Sequence, residues 1–260
     1  MDVGLGGTRA VVAGGASGIG RAIALGLLAE GARVAVVDRD TSDLGELRLR
    51  CDLSRPEAAT DALDQVAAAW GGIDVLVHTP AIARHEPATR ITPEAWSATL
   101  ATNLGACTWM CREAARRMLA HGGTILAIGS TAVYTPAAGE SVYRASKAAL
   151  KAFVEVLAIE LAPFGIRANL LTPGAFATGL TAGMTAQQRV ALEREIPLRR
   201  EAAPHELVAT ALLLLSDSLS PYTTGAEFVV DGGLRLRPMP FAGDEELRRL
   251  VAGDIPARTG

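Results

Sequence analysis

Short apolar segments alternate with longer amphipathic segments along most of this 260-residue chain. The short segments are nearly continuous in apolar residues and are bounded by Gly, Pro or Asp, which is typical of parallel strands buried on both faces. The longer segments have helical periodicity, and Thr92-Pro93 is a helix-start signal, a capping hydroxyl followed by proline. The predicted strands span residues 9–13, 34–37, 47–51, 75–78, 124–128, 168–171 and 227–230. The predicted helices span residues 19–30, 56–70, 93–119, 142–161, 186–196 and 205–216.

This alternation predicts how the elements assemble. Parallel strands joined by right-handed helical crossovers build a doubly wound sheet with helices on both faces. We therefore predict an α/β fold with three layers, α/β/α, around a doubly wound parallel β-sheet (Rossmann fold), as a single domain over residues 1–260. One connection differs, because residues 38–51 leave too little chain for a crossover helix and 41–45 is typical of a loop. The sheet edge beside the second strand should therefore be thinly covered.

Composition narrows the class of protein. The chain is 49% hydrophobic and 20% charged, which is enough apolar material for one large buried core. A net charge of -3 with scattered basic residues argues against a nucleic-acid partner. No apolar run approaches the ~18 residues of a membrane span, and the first residues lack the features of a signal peptide. We therefore expect no membrane association and a cytoplasmic location.

The cysteines and histidines give no disulfide or metal signal. Three cysteines cannot form a disulfide framework, and Cys107 and Cys111, four apart on one predicted helix, are better explained by core packing. The four histidines show no ligand spacing such as His-Glu-x-x-His. We predict no catalytic metal.

A glycine-rich loop follows the first predicted strand and opens the first helix. Gly14, Gly18 and Gly20 allow a tight turn, close approach to a pyrophosphate, and close packing of the helix against the strand. The helix N-terminus adds amide donors and a partial positive charge. Asp38 ends the second strand twenty positions after Gly18. In this context the loop predicts a dinucleotide-binding site rather than a structural turn.

The end of the second strand also predicts which dinucleotide binds. Asp38 should accept hydrogen bonds from the adenosine ribose hydroxyls, and its charge would repel the 2′-phosphate of NADP. Arg39 argues the other way, since a guanidinium beside the ribose could receive that phosphate. We therefore expect NAD to be preferred over NADP, with Arg39 leaving NADP open.

A tyrosine and a lysine one helical turn apart supply candidate acid/base chemistry. Tyr143 and Lys147 lie in one predicted helix, and Ser130 precedes the tyrosine by thirteen residues, near a predicted strand end. A phenol titrates near pH ~10, but a nearby ammonium stabilises the phenolate and lowers its pKa towards neutral pH. Taken alone, the spacing is explained better by an exposed pair on a helix surface. The glycine loop upstream favours the catalytic interpretation.

Together these motifs resemble the short-chain dehydrogenase/reductase family, over roughly residues 8–234. The resemblance implies an NAD(P)-dependent oxidoreductase that interconverts a secondary alcohol or sugar hydroxyl with a ketone or lactone by hydride transfer. It also implies a catalytic tetrad of Asn103, Ser130, Tyr143 and Lys147. The matching motifs are the glycine loop, Asp52-Leu53, Asn103-Leu104-Gly105, Ser130, Tyr143 with Lys147, and Pro173-Gly174 followed by Thr178.

The same resemblance implies a role for each residue. Tyr143 would exchange the proton of the substrate oxygen, and Ser130 would hydrogen-bond to that oxygen. Lys147 would lower the tyrosine pKa and hold the nicotinamide ribose, while Asn103 would position a water that links Lys147 to solvent. The implied assembly is a homo-oligomer, a tetramer or a dimer, formed through the long helices. The implied cofactor contacts are Gly14, Ser17, Gly18, Ile19, Gly20, Asp38, Arg39, Asp52, Leu53, Asn103, Tyr143, Lys147, Pro173, Gly174 and Thr178.

Two positions depart from the family pattern. The family has Asn-Asn-Ala-Gly after the fourth strand, where residues 78–81 are His-Thr-Pro-Ala, and it begins the glycine motif with threonine, where this chain has Ala13. Both changes fall at neighbouring strand ends. Losing a hydroxyl together with its partner costs less than leaving one buried polar group unpaired, ~1–3 kcal/mol. We expect Pro80 and Ala81 to rebuild this crossover against Ala13, and cofactor affinity to survive.

The sequence describes the substrate less clearly than the reaction. Tyr134, Gly139, Glu140 and a small lid at about 178–203 should surround a small-molecule substrate, and a tail over 235–260 could cover the active-site mouth or a neighbouring subunit. Four arginines in the lid suggest an anionic substrate, but the glutamates that lie among these arginines are more typical of a solvated helix. We expect a small polar hydroxylated substrate. The alternatives are an NADPH-dependent 3-oxoacyl-type ketoreductase and a non-catalytic dinucleotide-binding homologue.

Overall fold

The strands form one sheet in which all neighbours are parallel. The structure, a computed structural model, describes residues 2–40 and 43–236. The seven strands in these residues are β1 (Arg9–Ala13), β2 (Arg33–Asp38), β3 (Leu47–Arg50), β4 (Val75–His78), β5 (Gly123–Ile128), β6 (Ile166–Pro173) and β7 (Glu227–Val230). Their order across the sheet is β3-β2-β1-β4-β5-β6-β7. This is the doubly wound arrangement that the sequence predicts.

Helices cover both faces of this sheet. The α-helices are α1 (Gly18–Ala29), α2 (Pro56–Trp70), α3 (Pro93–Leu100), α4 (Ala106–Met118), α5 (Ser141–Leu161), α6 (Ala186–Glu195) and α7 (Val208–Leu215). On one face, α2, α4 and α5 enclose a core that includes Leu76, Met110 and Leu150. On the other face, α1 and α7 enclose a core that includes Ile23 and Val77. Successive side chains of β4 supply both cores, as expected for a strand buried on both sides. The three-layer α/β/α fold is therefore confirmed.

The direction of strand succession reverses between β1 and β4. β1 pairs with β2 on one side and with β4 on the other. Ala13, the last residue of β1, lies opposite His78, the last residue of β4. Doubly wound sheets bind their ligands in the crevice beyond the carboxyl ends of the strands at such a reversal. The fold therefore directs attention to this carboxyl edge.

The helix predicted over residues 93–119 is interrupted. A π-helical turn over Ala101–Gly105 separates α3 from α4, and the Ala106 N–H donates to a carbonyl five residues back instead of four. Hydrophobic periodicity does not register one extra residue in a single turn, so the sequence predicted a continuous helix. The widened turn carries Asn103.

Two strands differ in length from the prediction. β6 pairs with β5 and β7 and is longer than the predicted 168–171. β3 pairs only with β2 at the sheet edge, ends one residue before the predicted boundary, and exposes Arg48 and Arg50. No helix occurs in the described residues between β2 and β3, in agreement with the thinly covered edge expected there.

The segment expected to form a lid contains one solvated helix. α6 begins with a capping box, in which Thr185 Oγ1 accepts from the Gln188 N–H and the Gln188 side chain accepts from the Thr185 N–H. No residue of α6 is buried. The predicted tail over 235–260 lies outside the described residues, apart from Arg235 and Leu236. In the part of the chain that is described, no helix is long and apolar enough to cross a bilayer.

Candidate active site

The glycine-rich loop between β1 and α1 is packed too closely for side chains at two of its glycines. Gly14 has a φ of +77°, and a Cβ there would lie 2.3 Å from Thr79 Oγ1. A Cβ on Gly20 would lie 2.1 Å from the Gly14 carbonyl oxygen. Gly18 has a φ of +54°, and a Cβ there would meet the side chain of Thr178 at 3.6 Å, an ordinary contact distance. The loop therefore presents bare backbone and the N-terminus of α1 to the crevice, which fits a pyrophosphate.

Thr79 closes the crossover between β1 and β4. Its hydroxyl lies 2.9 Å from the Ala13 carbonyl oxygen and 3.2 Å from the Gly14 carbonyl oxygen, and its N–H also donates to Ala13. The hydroxyl that the family pattern has on β1 is thus replaced by one that follows β4. The hydrogen bonds that join the two strand ends are made by Thr79 and not by Pro80 and Ala81, which we expected from the sequence to rebuild the crossover.

Asp38 ends β2 with its carboxylate fixed beside the glycine loop. Oδ2 accepts from the Ala16 N–H at 2.9 Å, and Oδ1 accepts from the Asp40 N–H at 3.0 Å. Each carboxylate oxygen can accept a further hydrogen bond, so the group can also bind ribose hydroxyls. Arg39 is exposed, with its Nε 3.9 Å from the Asp40 carboxylate. The carboxylate is therefore ordered before any ligand binds, whereas the guanidinium is held only at the surface.

The remaining predicted cofactor contacts follow the same edge of the sheet. Ser17 caps α1 through its backbone, and its hydroxyl makes no capping hydrogen bond, so it is available to a ligand. Asp52 accepts from the Ser54 N–H at 3.0 Å. Leu53 is buried in the core, so only its backbone can reach a ligand. A glycine cradle, an uncommitted hydroxyl and an ordered carboxylate together fit a dinucleotide.

Tyr143 and Ser130 come together beyond the carboxyl end of β5. Ser130 begins a short 3₁₀ turn, where its Oγ accepts from the Ala132 N–H at 3.1 Å. Its hydroxyl is also within hydrogen-bonding range of the Tyr143 phenol in the first turn of α5. Burial raises the pKa of Tyr143, the hydrogen bond with Ser130 lowers it, and the charge of Glu140 raises it. Burial dominates, so the pKa of Tyr143 lies above its usual value.

Lys147 is buried one turn further along α5. It is 2% exposed, and its Nζ donates to the Ile128 carbonyl at 2.8 Å. Burial lowers its pKa to about 8, against a smaller opposing effect of Cys107. Lys147 is not among the groups that shift the pKa of Tyr143. The expected lowering of the tyrosine pKa by Lys147 is therefore not found in this structure, where the ammonium is directed to the end of β5.

Asn103 is fully buried in the π-helical turn. Its Nδ2 donates to the Ile82 carbonyl at 2.9 Å and to Ser146 Oγ at 3.0 Å, and its Oδ1 accepts from the Ile82 N–H at 2.8 Å. The side chain thereby ties the loop after β4 to α5, next to Lys147. These contacts occupy the side chain, and the water-positioning role expected of Asn103 stays a prediction.

His78 also belongs to this region, although the sequence left its role open. It is 1% exposed, and neither ring nitrogen has a hydrogen-bond partner among the described residues. Burial and, secondarily, the charge of Lys147 lower the pKa of His78 to about 3, so its imidazole is neutral at physiological pH. A histidine at the end of an apolar strand is visible in the sequence, but its lack of a partner is not.

Two loops meet at the entrance to the site. The Glu86 N–H donates to the Gly139 carbonyl at 2.9 Å, and Gly139, with a φ of +85°, lies against the backbone of His85. His85 Nδ1 is 3.6 Å from the Glu140 carboxylate. Because Glu140 lies three residues before Tyr143 on the approach to α5, the entrance carries negative charge close to the phenol.

The structure brings the four predicted catalytic residues to one region of the carboxyl edge. Ser130, Tyr143 and Lys147 surround the end of β5, and Asn103 braces them from the π-helical turn. The glycine loop lies beside them, whereas Asp52 lies further along the sheet, beyond β3. A doubly wound sheet with this edge defines a dinucleotide-dependent oxidoreductase as the class of protein.

Comparison with known proteins identifies the family. A family model described as Enoyl-(Acyl carrier protein) reductase matches residues 14–235. The chain belongs to the short-chain dehydrogenase/reductase family, and it is an oxidoreductase acting on a CH–OH or carbonyl group.

Individual relatives match over nearly their whole length. Carbonyl reductase family member 4 of Danio rerio is 39% identical over 237 residues, which cover 87% of this chain and 98% of that protein. L-xylulose reductase of Bos taurus is 38% identical over 245 residues, which cover 90% of this chain and 98% of that protein. The crystal structure of a short-chain type dehydrogenase/reductase from Mycobacterium marinum has a TM-score of 0.85 at 32% identity, covering 90% of this chain and 97% of that one.

Proposed function

We propose that this protein is an NAD-linked dehydrogenase that interconverts a secondary alcohol of a small, neutral, hydroxylated substrate with the corresponding ketone or lactone. One observation carries the proposal. Tyr143 has Ser130 within hydrogen-bonding range and Lys147 one turn along the same helix, at the sheet edge that also holds the glycine loop. Asn103 completes the proposed catalytic set by fixing the loop after β4 to α5.

Tyr143 is the proposed general acid/base. During oxidation the substrate hydroxyl gives its proton to the Tyr143 oxygen, and during reduction the phenol returns it. Ser130 hydrogen-bonds to the substrate oxygen and holds it within reach of the phenol. A bound nicotinamide supplies or accepts the hydride.

Lys147 supplies positive charge to this proton exchange. Its ammonium has three donors and gives one to the Ile128 carbonyl, which leaves two for the nicotinamide ribose and a water. With a pKa of about 8, most of the lysine is protonated at pH 7. Lys147 is not among the groups that shift the pKa of Tyr143 in this structure, so we propose that its charge favours the phenolate form of Tyr143 only when the site holds its cofactor and substrate.

The proposed preference for NAD rests on the carboxylate of Asp38. The Ala16 and Asp40 N–H groups orient it, so ribose hydroxyls can donate to it without rearrangement of the site. A 2′-phosphate in the same place would face an uncompensated negative charge. NAD and NADP would both make the other proposed contacts, which are with the glycine loop, Asp52, Leu53, Pro173, Gly174 and Thr178.

Charge at the entrance supports a neutral substrate. The Glu140 carboxylate repels an anion and can accept hydrogen bonds from substrate hydroxyls. Two of the four lid arginines have carboxylate partners of their own, Arg189 with Glu201 and Arg200 with Glu206. L-xylulose reductase is by its name an enzyme of a sugar, and we propose a sugar or polyol as the substrate class here.

An NADPH-dependent ketoreductase of the 3-oxoacyl type is the second candidate. The description of the matching family model names a reductase of acyl-carrier-protein substrates. Arg39 is exposed next to Asp38 and could bind a 2′-phosphate if the guanidinium turned towards the ribose. This candidate predicts turnover of a 3-oxoacyl thioester with NADPH and little with NADH.

The proposed setting is a cytoplasmic homo-oligomer, a tetramer or a dimer, in which each chain is a single domain with a small lid at about 178–203. α5 leaves Val156 53% exposed and Ile159 75% exposed on its outer surface. Apolar side chains that neighbour each other on a long helix suit a subunit interface. Light scattering coupled to size-exclusion chromatography would test the assembly, and a monomer at micromolar concentration would contradict it.

A substrate panel tests the proposed reaction. Sugars, polyols, cyclic alcohols, hydroxy acids and a 3-oxoacyl thioester are offered with each oxidised or reduced cofactor, and the absorbance of the reduced cofactor is followed. We expect NAD-linked oxidation of a sugar or polyol, abolished in Tyr143→Phe and retained in the matched surface variant Tyr222→Phe. Undiminished turnover in Tyr143→Phe would contradict the mechanism. Failure to bind either dinucleotide in calorimetry would contradict the cofactor assignment.

A further inference from the structure

His78 is an exception among the buried polar side chains of the described residues. Its imidazole is 1% exposed, yet neither ring nitrogen has a partner there. A buried polar group without a partner is costly, and such groups in native proteins are satisfied by bound water or retained for a function. The position of His78 indicates which applies.

The imidazole lies on the face of the sheet that packs against α4 and α5. Side chains alternate along β4, so His78 shares the face of Leu76, which belongs to the core beneath these helices. Its neighbours in register, Ala13 on β1 and Ala127 on β5, have only methyl side chains and offer the imidazole no hydrogen-bond partner. Lys147 on α5 lies close enough for its charge to act on the imidazole.

The hydrogen-bonding capacities of the two groups are complementary. Lys147 uses one of three donors on the Ile128 carbonyl. A neutral imidazole offers one acceptor nitrogen and one donor nitrogen. The other titratable groups around Lys147 are Cys107 on α4 and Tyr143 on α5, while β1 and β5 contribute only alanines at this level.

We infer that His78 is a positioning residue for Lys147: its imidazole binds a water molecule that also accepts a hydrogen bond from the Lys147 ammonium. The water donates to the unprotonated ring nitrogen and accepts from Nζ, so the bridge favours the charged form of the lysine. The consequence for catalysis rests on the proposed function. Without the bridge, the ammonium loses its proton at lower pH and the phenolate of Tyr143 loses its support.

The composition of the chain makes Lys147 directly observable. Lys147 and Lys151 are its only lysines, so protein labelled with ¹³C at lysine Cε gives two lysine signals, and Lys151→Arg assigns them. In the wild type, without substrate or cofactor, we expect the Lys147 signal to titrate with a midpoint of about 8. In His78→Leu the midpoint should fall by about one unit, the effect of one hydrogen bond to a charged group.

Two further variants separate hydrogen bonding from packing. His78→Asn keeps a polar partner for the water and should recover at least half of the lost shift, whereas Leu76→Met, on the same face of β4, should leave the midpoint unchanged. An unchanged midpoint in His78→Leu, or an equal fall in His78→Leu and His78→Asn, would overturn the inference.

The wild-type protein gives a test that does not depend on the folding of any variant. With ¹⁵N-labelled histidine, one ring nitrogen of His78 should change its chemical shift as Lys147 titrates, while the imidazole remains neutral. A ring signal that stays constant through that titration also overturns the inference. Both titrations are made without substrate, so their failure is distinct from failure of the proposed dehydrogenase activity, which the substrate panel tests.

Discussion

Lys147 and Lys151 lie one helical turn apart on α5, yet their surroundings shift the pKa values of the two ammonium groups in opposite directions. Lys151 donates to the Glu227 carboxylate at 2.7 Å and to the Tyr134 hydroxyl at 2.9 Å, and these contacts raise its pKa. Lys147 has the Ile128 carbonyl as its hydrogen-bond partner, and burial lowers its pKa to about 8. One lysine joins α5 to β7, and the charge of the other remains available for chemistry.

The difference lies in the partners as much as in the depth of burial. Burial alone would raise the pKa of Glu227, but hydrogen bonds from Lys151, Thr172 and Tyr134 lower it overall. At Lys147 no carboxylate of the described residues offsets burial, and a pKa lowered from 10.5 to about 8 corresponds to about 3 kcal/mol of lost stability. The unfolded chain keeps this proton up to pH 10.5, so the penalty is full below about pH 8 and disappears as pH rises between the two values. A fold retains such a cost where the group has a function.

The largest expected effect comes from removing the unpaired charge. In Lys147→Met we expect turnover to fall by about 10²–10⁴-fold, because the proposed acid/base loses the charge that supports it. The same change should raise the free energy of unfolding by about 1–3 kcal/mol, since an apolar side chain replaces a buried charge without a carboxylate partner. Activity is measured with the substrate that the panel identifies, and stability by urea denaturation. A loss of both activity and stability would mean that the charge of Lys147 stabilises the fold, as the charge of Lys151 does.

A second unpaired group makes the stability depend on acid. The pKa of His78 is about 3 when folded and near 6.5 when unfolded, so the unfolded chain binds the extra proton between these values. The neutral imidazole of His78 makes its full contribution to the free energy of unfolding above pH 6.5. As pH falls from 6.5 towards 3, that free energy decreases by up to about 1.4 kcal/mol per pH unit. Denaturation midpoints in buffers of decreasing pH should show this slope in the wild type and in His205→Gln, an exposed control. A slope of the same size in His78→Leu would assign the acid sensitivity to other groups.

The paired lysine should behave as the opposite of Lys147. Lys151→Met leaves the largely buried Glu227 carboxylate with hydrogen bonds from Thr172 and Tyr134 alone. We expect the free energy of unfolding to fall by about 1–2 kcal/mol, with turnover per folded molecule unchanged. Urea denaturation with assays at matched folded fraction measures both. If turnover fell while stability held, the functional division between the two lysines would be wrong.

This division is beyond what the sequence could predict. The strand order and the carboxyl edge follow from apolar runs and crossover rules, and Tyr143 and Lys147 follow from their spacing. The direction of a lysine side chain depends on which carbonyl or carboxylate lies within reach, and neither Ile128 nor Glu227 is marked as a partner by its position in the chain. Asn103 shows the same limit, since its hydrogen bonds depend on a π-helical turn that periodicity does not reveal.

The smallest expected effect tests whether backbone strain, like unpaired charge, occurs at this end of the sheet. Arg199, beyond α6, has a φ of +58° and is the one non-glycine residue with positive φ among those described. A left-handed conformation costs a non-glycine residue roughly 1–2 kcal/mol, and Arg199→Gly would remove that cost. Two effects oppose this gain: glycine loses more entropy on folding, and the contact between Arg199 and the Arg194 carbonyl would be lost. We therefore expect Arg199→Gly to stabilise the protein by about 0.5 kcal/mol, measured by urea denaturation, and Arg199→Ala, which keeps the strain and loses the contact, to destabilise it. If alanine stabilised the protein as much as glycine, the cost at this position would come from the arginine side chain and not from the backbone. Backbone strain would then not be a feature of this edge of the sheet.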